Sequence, residues 1–217
     1  MQFTELEMRF SVLARLVCAL LTLMAVVGFT ANAKQLTITD ASGEPLQHAV
    51  VELPQPVQTP DSVAIMDQVH KQFVPYVLTI QKGQQVNFPN SDDIRHHVYS
   101  FSPTKPFELK LYAGTPNAPL QFNNAGVVVL GCNIHDSMVG YIYVSNGNQV
   151  LISNARGVVQ IPHNVDSVTV WHPEQQDEIA SRKSVTLPSG VDSHTVMMNT
   201  EPPAPRNTFG ERFGNNE

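Results

Sequence analysis

The heptapeptide Cys132-Asn133-Ile134-His135-Asp136-Ser137-Met138 decides the fold class and the candidate chemistry of this 217-residue chain. It follows the apolar run Val127–Leu130, and a second strand-like run starts at Gly140. The heptapeptide is therefore expected to form a loop between two strands. Such a loop can direct a thiolate, an imidazole and a thioether to one point. Packing of the Cys and the Met in a core is the structural alternative, but it gives no reason for three ligand-type side chains to share one loop.

A second imidazole is available in the segment Asn90–Val98, which contains His96 and His97. A thiolate, two imidazoles and a weak thioether are the ligands of blue-copper centres. We therefore expect one copper ion per chain, bound by Cys132, His135, Met138 and an upstream His. Zinc also takes Cys and His ligands, but it gains little from a thioether, so the Met favours copper.

The region around these residues resembles the cupredoxins. Its C-x-x-H-x-x-M spacing matches the amicyanin-type loop, and the upstream N-x-D-x-x-x-H-x-V pattern falls on Asn90, Asp92, His96 and Val98. The resemblance implies a Greek-key β-sandwich, single-electron transfer and a redox protein partner such as a cytochrome or a dehydrogenase. Gly131 departs from the family, which often carries an aromatic residue directly before the Cys.

The resemblance leaves two choices for the upstream ligand. The motif register selects His96, two residues before Val98. However, family strands often carry an apolar residue four positions after the ligand, and Phe101 is four positions after His97. Adjacent strand residues face opposite ways, so only one of the two His can bind. We predict His96, with His97 as the alternative.

An apolar rim is expected around His135, formed by Ile134, Met138 and Val139. In cupredoxins such a patch is where redox partners dock, whereas the alternative is that these side chains only pack the loop. The longer stretches H-H-V-Y-S-F-S and V-L-G-C-N-I-H-D-x-M-V-G-Y-I also resemble bacterial proteins named for methylamine utilisation, which implies a place near quinoprotein amine oxidation.

Short β-type runs bounded by Gly, Pro, Asn and Asp predict an all-β fold. The predicted strands are Gln35–Thr39, Ala49–Leu53, Tyr76–Ile80, Gly126–Leu130, Gly140–Val144 and Ser167–Trp171. Trp171 is expected in a core. The remaining His residues are expected to be exposed to solvent rather than to bind metal: His48, His70, His163, His172 and His194.

Two parts are expected within this all-β chain. Residues 61–145 hold the metal ligands. Residues 34–60 and 146–200 contain two strand–turn units, with turns at Asp40–Leu46 and Ser153–Gly157, that resemble the carboxypeptidase regulatory-like (transthyretin-like) domain. The resemblance implies a second small sandwich with the copper domain inserted in or joined to it. One continuous sandwich with extra strands is the alternative.

The N-terminus has the features of a secretory signal. Arg9 and Arg15 precede the apolar run Leu16–Thr30, and Ala31-Asn32-Ala33 fits a cleavage site. Residues 1–33 are therefore predicted to be a signal peptide that directs the chain to the periplasm. A membrane anchor is the alternative, although the run is shorter than the 18 to 20 residues that a span needs. Residues 201–217 are predicted to be a disordered tail.

Composition excludes several functions. Cleavage would remove Cys18 and leave Cys132 as the single Cys, so a disulfide framework is excluded. A net charge of −6 without a basic patch argues against nucleic-acid binding. No enzyme motif is recognisable, which favours a non-enzymatic electron carrier. Copper delivery, an accessory scaffold and a metal with a purely structural role are the alternatives.

Overall fold

The computed structural model describes residues 33–116 and 118–201, and this part of the chain is all-β, as predicted. The predicted signal peptide, except for its last residue, and the predicted tail beyond Glu201 lie outside the described residues. Within the described ranges, no helix has the length and apolar character needed to cross a membrane.

Seventeen strands are present in residues 33–116 and 118–201, and all six strand predictions are confirmed. In chain order they are β1 (Ala33–Thr39), β2 (Val50–Pro56), β3 (Ala64–Ile65), β4 (Asp67–Val69), β5 (Gln72–Val74), β6 (Val77–Gln81), β7 (Gln85–Asn87), β8 (His96–Ser100), β9 (Phe107–Tyr112), β10 (Leu120–Gln121), β11 (Gly126–Gly131), β12 (Val139–Ser145), β13 (Asn148–Ile152), β14 (Val158–Pro162), β15 (Ser167–Trp171), β16 (Lys183–Thr186) and β17 (Ser193–Met197).

Seven of these strands form what we call the flanking sandwich. One sheet has the order β14-β1-β17 and the other has the order β13-β2-β15-β16. Alternate residues of β1, such as Leu36 and Ile38, point into the core between the two sheets and are fully buried. The core consists of Leu36, Ile38, Leu46, Ala49, Val51, Leu53, Val159, Ile161, Val165, Val168, Val170, Leu187, Val196 and Met198.

The two turns singled out in the sequence have the same hydrogen-bond pattern. Asp40 Oδ1 accepts the backbone N–H groups two and four residues later, at 2.8 and 2.9 Å, and Asn154 Oδ1 does the same at 2.9 and 3.1 Å. The second turn also contacts β1, because the backbone N–H of Ile38 donates to the carbonyl of Gly157 at 2.8 Å. A Cβ at Gly157 would lie 2.3 Å from the carbonyl oxygen of Ile38, so the contact requires glycine.

Strands β3 to β12 form what we call the central sandwich. A five-stranded sheet of order β6-β12-β11-β8-β9 packs against a small sheet of order β10-β7-β3 and the hairpin β4-β5. Their shared core is separate from that of the flanking sandwich. It consists of Met66, Phe73, Ile80, Val86, Phe88, Val98, Phe122, Val128, Leu130, Cys132, Met138, Ile142 and Val144.

The outer face of the five-stranded sheet packs against the flanking sandwich through aromatic residues. Trp171 of β15 is fully buried, and its ring centroid lies 5.6 Å from that of Tyr141 and 5.9 Å from that of Tyr143, both on β12. Val50, Val77 and Val127 complete this third cluster. Trp171 is therefore a core residue, as predicted, and its core joins the two sandwiches.

A buried carboxylate adds polar contacts at the same joint. Glu52 of β2 is 7% exposed and accepts a 2.6 Å hydrogen bond from the hydroxyl of Tyr143. The hydroxyl of Ser145 and the side-chain amide of Asn148 lie 3.0 and 2.9 Å from its other oxygen. Arg182 places a guanidinium nitrogen 3.7 Å away. These partners offset the cost of burying the charge.

The two points at which the chain passes between the sandwiches lie side by side. Strand β2 pairs antiparallel with β13, with Asn148 opposite Pro56. Just beyond this pair, the backbone N–H of Val57 donates to the carbonyl of Gly147 at 2.7 Å. The insertion of residues 61–145 into the flanking sandwich stays a prediction, and this geometry is compatible with it.

The solvent-exposure prediction is right for His70 and wrong for His172, whereas His48, His163 and His194 are half-buried. His172 is 3% exposed, not solvated. Its Nε2 lies 3.0 Å from the carbonyl oxygen of Gln47, and its Nδ1 accepts the backbone N–H of Glu174 at 3.1 Å. Burial lowers the pKa of His172. The residue directly follows the strand that carries Trp171, and its bonds to Gln47 and Glu174 hold the ring against the flanking sandwich although its sequence neighbourhood is typical of a loop.

Candidate metal centre

The heptapeptide forms the loop between β11, which ends at Gly131, and β12, which starts at Val139. These strands are antiparallel neighbours, with Gly131 opposite Val139, so both ends of the loop are fixed. Within it, the backbone N–H of Met138 donates to the carbonyl of His135 at 2.9 Å. Cys132 and Met138 are 3% and 1% exposed and belong to the same core cluster.

The structure brings His96, Cys132 and His135 together. One ligand atom from each of the three residues lies within 4.8 Å of the others. Nδ1 of His96 is 3.9 Å from Sγ of Cys132, and the ring centroids of the two His residues are 5.2 Å apart. No other group of three His, Cys, Asp or Glu side chains of this kind is found in the described ranges.

His97 points away from this group. Its Nε2 lies 2.9 Å from Oε1 of Glu108 on β9, and its ring centroid is 5.6 Å from that of Tyr99. His96 is fully buried on the inner face of β8 beside the core residue Val98, whereas His97 and Tyr99 lie on the outer face. Only His96 of the two therefore lies beside Cys132.

The polar atoms of the group fit a metal ion. Nδ1 of His135 is buried and has no hydrogen-bond partner, an arrangement that costs free energy unless another ligand satisfies the atom. Burial, followed by the nearby His96, lowers the pKa of His135, which favours the neutral imidazole that binds metal. A buried thiol and two imidazoles suit a soft or borderline metal ion such as copper or zinc better than a hard cation, and Met138 is buried in the same core cluster as Cys132.

Asp92 holds the outer nitrogen of His96. Its Oδ2 lies 2.7 Å from Nε2 of His96, and its two oxygens accept the backbone N–H groups of His70 and Lys71 at 2.6 and 2.9 Å. Burial alone would raise the pKa of Asp92, but the hydrogen bonds from Lys71, His96 and His70 outweigh it and lower that pKa. Asp92 belongs to the sequence motif, but its contact with the imidazole was not predicted.

Asn90, another motif residue, closes the segment that leads to β8. Its side-chain amide donates to the carbonyls of Ile94 and Tyr112 at 2.8 and 3.0 Å, and its Oδ1 accepts the backbone N–H of Asp92 at 3.1 Å. These bonds fix the backbone on both sides of Asp92. The spacing of the motif therefore has a structural cause, since the Asn orients the segment that presents the Asp to the His.

Gly131, the departure from the family pattern, is covered by an aromatic side chain from the next strand. Tyr99 of β8 is its ladder partner, and a Cβ at Gly131 would lie 2.7 Å from the Tyr99 ring. Beyond this ring, Phe101 lies with its centroid 5.1 Å from that of Tyr99 and is 85% exposed. No signal in the sequence identifies this aromatic pair as part of the site region.

A cleft of about 450 Å³ lies beside β8 and β9, and its volume is within the size range of ligand pockets. Its lining residues are His97, Tyr99, Ser100, Phe101, Pro106, Phe107, Glu108 and Asn133. Asn133 follows Cys132 directly, so the cleft reaches the ligand loop.

The expected apolar rim is only partly present. Ile134 is 49% exposed and Val139 is half-buried, but Met138 is 1% exposed and contributes nothing to the surface. For Met138 the alternative holds, because its side chain packs in the core cluster that also contains Cys132. Phe101 is the more prominent exposed apolar residue of this region.

Comparisons with known proteins give structural likeness only. No protein-family profile matches the sequence, and no curated protein matches it. A copper-containing nitrite reductase from Thermus scotoductus SA-01 is similar at a TM-score of 0.37 and 24% identity, over 51% of this chain and 28% of that chain. The chain thus spans little more than a quarter of that enzyme.

Two small copper proteins are also similar. A reduced copper(I) form of an amicyanin variant matches at a TM-score of 0.35 and 18% identity, over 44% of this chain and 98% of that chain. A purple cupredoxin from Nitrosopumilus maritimus matches at a TM-score of 0.34 and 22% identity, over 38% of this chain and 99% of that chain. With identities below 25% and TM-scores below 0.5, these matches carry no argument about what the chain binds.

Proposed function

We propose that this chain is a periplasmic, mononuclear copper protein of the cupredoxin type that carries single electrons between redox partners. Cys132, His96 and His135 are the equatorial ligands and Met138 is the axial ligand. The observation that carries the proposal is the convergence of one ligand atom each from His96, Cys132 and His135 within 4.8 Å, with Nδ1 of His96 3.9 Å from Sγ of Cys132.

Copper bound at this position would supply a one-electron change between copper(I) and copper(II). The protein residues hold the ligands in place and keep water away. Cys132 and Met138 are buried at the two ends of a loop whose flanking strands are paired, and His96 is held by Asp92. Such a fixed ligand set limits the rearrangement that accompanies gain or loss of an electron.

A copper(II) titration of the protein from Lys34 onward tests the proposal by visible absorption and electron paramagnetic resonance. We expect an intense copper–thiolate band that saturates at one copper per chain. Cys132→Ser should abolish the band, whereas His97→Gln, which changes the His on the opposite face, should retain it. Absence of the band in the unaltered protein would refute the electron-carrier proposal.

We propose that a redox partner, such as a cytochrome or a dehydrogenase, docks over Phe101 and Ile134. Both side chains are exposed, and both are close in the chain to residues of the site region, Tyr99 and His135. The flanking sandwich covers β6, β12 and part of β11, so the surface over β8 stays open. Export by a signal peptide at residues 1–33 and a role near amine oxidation belong to the same proposal.

Copper delivery, or an accessory scaffold role, is the second candidate function. The flanking sandwich supports it, because an electron carrier does not need a second sandwich fixed through Trp171 and Glu52. Two experiments distinguish the carrier from the delivery function. Stopped-flow mixing with reduced cytochrome measures electron exchange, and incubation with an acceptor apo-protein measures transfer of copper(I). Rapid electron exchange without metal loss supports the carrier, and metal transfer without electron exchange supports delivery.

A purely structural metal makes a third, separate prediction. If copper only stabilised the fold, Cys132→Ser would unfold the central sandwich. We expect the variant to stay folded, because the central core contains twelve other buried hydrophobic residues beside Cys132. Circular dichroism and thermal unfolding of the metal-free variant decide this point.

A further inference from the structure

We infer that Asp92 is a positioning residue that sets the tautomer of His96 and, through its charge, biases the site toward copper(II). This inference rests on the proposed copper function and deepens it. It assigns a role to a side chain that is not itself a metal ligand.

The tautomer follows from the contacts of the imidazole. Oδ2 of Asp92 lies 2.7 Å from Nε2 of His96, and a carboxylate only accepts hydrogen bonds. Nε2 of the neutral ring must therefore carry the proton and donate it to Asp92. The lone pair then sits on Nδ1, the atom that lies 3.9 Å from Sγ of Cys132. The imidazole is thus prepared to bind through Nδ1 before any metal arrives.

The carboxylate is itself held in place by backbone groups. The N–H of His70 donates to Oδ1 at 2.6 Å and the N–H of Lys71 donates to Oδ2 at 2.9 Å. Both residues have left-handed backbone conformations, with φ of 52° and 60°, which direct two successive amides to one side of the turn between β4 and β5. Because Asp92 is only 11% exposed, water competes weakly for these bonds.

The consequence for copper is electronic. A carboxylate that accepts the outer N–H of a ligand His makes the imidazole a stronger donor, and loss of such a partner typically reduces metal affinity about 10- to 100-fold. The negative charge of Asp92 also stabilises bound copper(II) more than bound copper(I). Asp92→Asn should therefore weaken copper(II) binding by at least about tenfold, weaken copper(I) binding less, and raise the reduction potential.

The chain supplies its own matched control. His97 is the next residue and also has its Nε2 against a carboxylate, at 2.9 Å from Glu108, but it lies on the opposite face of β8 and away from Cys132. Glu108→Gln therefore removes the same kind of carboxylate from a His that is not a proposed ligand. A similar response of both variants would show that only the overall charge matters.

The first readout needs no metal. Nitrogen-15 NMR of the metal-free, unaltered protein should show His96 protonated at Nε2, and protonation at Nδ1 would overturn the inference. In Asp92→Asn, whose folding is checked by circular dichroism, we expect a mixture of tautomers for His96 and an unchanged His135. An unaltered His96 tautomer in this variant would also overturn it.

The second readout uses copper itself, through competition titrations with copper(II) and copper(I) and a potentiometric titration. Selective loss of copper(II) affinity in Asp92→Asn, with no change in Glu108→Gln, supports the inference. Equal affinities of Asp92→Asn and the unaltered protein would overturn it. If the unaltered protein bound no copper at all, the proposed function would fail, and the NMR experiment would still decide whether Asp92 fixes the tautomer.

Discussion

The ring of Tyr99 lies against the bare backbone of Gly131, so close that a Cβ on the glycine would come within 2.7 Å of it. The two residues are ladder partners on β8 and β11, and Cys132 follows Gly131 directly. Cupredoxins often place an aromatic side chain before the Cys, and this chain supplies an aromatic ring at that position from the neighbouring strand.

The first prediction concerns this contact. Gly131→Ala should displace the Tyr99 ring and destabilise the protein by about 1 to 3 kcal/mol, the usual cost of overpacking. Displacement of the backbone at Gly131 should also move the adjacent Cys132 and thereby change the wavelength of the copper–thiolate band. Urea unfolding measures the first effect and absorption the second. Because the clash is with one ring, the double variant Tyr99→Ala/Gly131→Ala should recover the band position, and failure to recover it would contradict the explanation.

The second prediction concerns partner docking. Phe101→Ala should leave stability unchanged, because the side chain is 85% exposed. It should lower the second-order rate of electron exchange with a partner about tenfold, since truncation of an exposed aromatic anchor commonly costs more than about 1 kcal/mol. Met197→Ala is the control, because Met197 is 55% exposed on β17 of the flanking sandwich. Equal rates for the two variants would exclude docking at Phe101.

The third prediction concerns the axial ligand. Met138→Leu keeps a buried apolar side chain of similar size, so the fold should persist at a cost below about 1.5 kcal/mol. Loss of the thioether removes one donor atom from the metal. We expect a higher reduction potential, because removal of a donor lowers the binding free energy of copper(II) more than that of copper(I). Met66 is also fully buried in the central core, and Met66→Leu should leave the potential unchanged. Potentiometric titration of both variants makes the comparison.

The fourth prediction concerns the joint between the sandwiches. Tyr143→Phe removes the 2.6 Å hydrogen bond to Glu52 and should destabilise the protein by about 1.5 to 3 kcal/mol, because a buried charge loses a donor. The copper–thiolate band should not change, since the hydroxyl points to the flanking sandwich. Denaturant unfolding and absorption of the same sample test both statements, and an altered band would show that the joint and the copper site are coupled.

The fifth prediction is a pH dependence of the metal-free protein. Burial lowers the pKa of His172 in the folded state below its ordinary value of 6.5, so the unfolded chain takes up the proton first as the pH falls. The contribution of His172 to the free energy of unfolding is therefore fully present above the pKa of the unfolded state. It decreases as the pH falls from that value to the lower pKa of the folded state, by at most about 1.4 kcal/mol per pH unit.

Urea unfolding at about pH 7.5 and pH 5.5 brackets the start of this window. His172→Gln lacks the titrating group and should show a smaller loss of stability between the two pH values. Burial of the ring is the main physical reason for the expected loss, and protonation of Nδ1 would also direct an N–H at the backbone N–H of Glu174. An equal loss of unfolding free energy between the two pH values in the variant and in the unaltered protein would contradict the assignment to His172.

Local sequence patterns were sufficient to predict the all-β fold and the loop on which three of the candidate ligands lie. The strands followed from β-branched runs between turn residues, and the loop from Cys132 to Met138 followed from its position between two such runs. The choice between His96 and His97 needed the structure, because a strand presents the two on opposite faces and the sequence does not say which face is the core. The ligand assignment itself stays a prediction until metal is measured.

The features that the sequence did not reveal depend on long-range packing. The contact of Tyr99 with Gly131 joins residues on different strands, and His172 is bonded to Gln47, which is 125 residues away in the chain. The bond between Asp92 and the turn at His70 and Lys71 connects segments about twenty residues apart. Periodicity describes one element at a time, so such contacts lie beyond its reach.

The hydrogen bond from Val57 to Gly147 has a consequence for how such a chain could be assembled. Strands β2 and β13 are already antiparallel partners at this point, so removal of residues 58–146 and closure with a tight turn would leave an ordinary β-hairpin in an intact seven-stranded sandwich. The part of the chain that carries the candidate metal site then occupies the position of a hairpin tip. A stretch of chain at that position begins and ends on two neighbouring strands, so the order of the seven strands is the same with or without it.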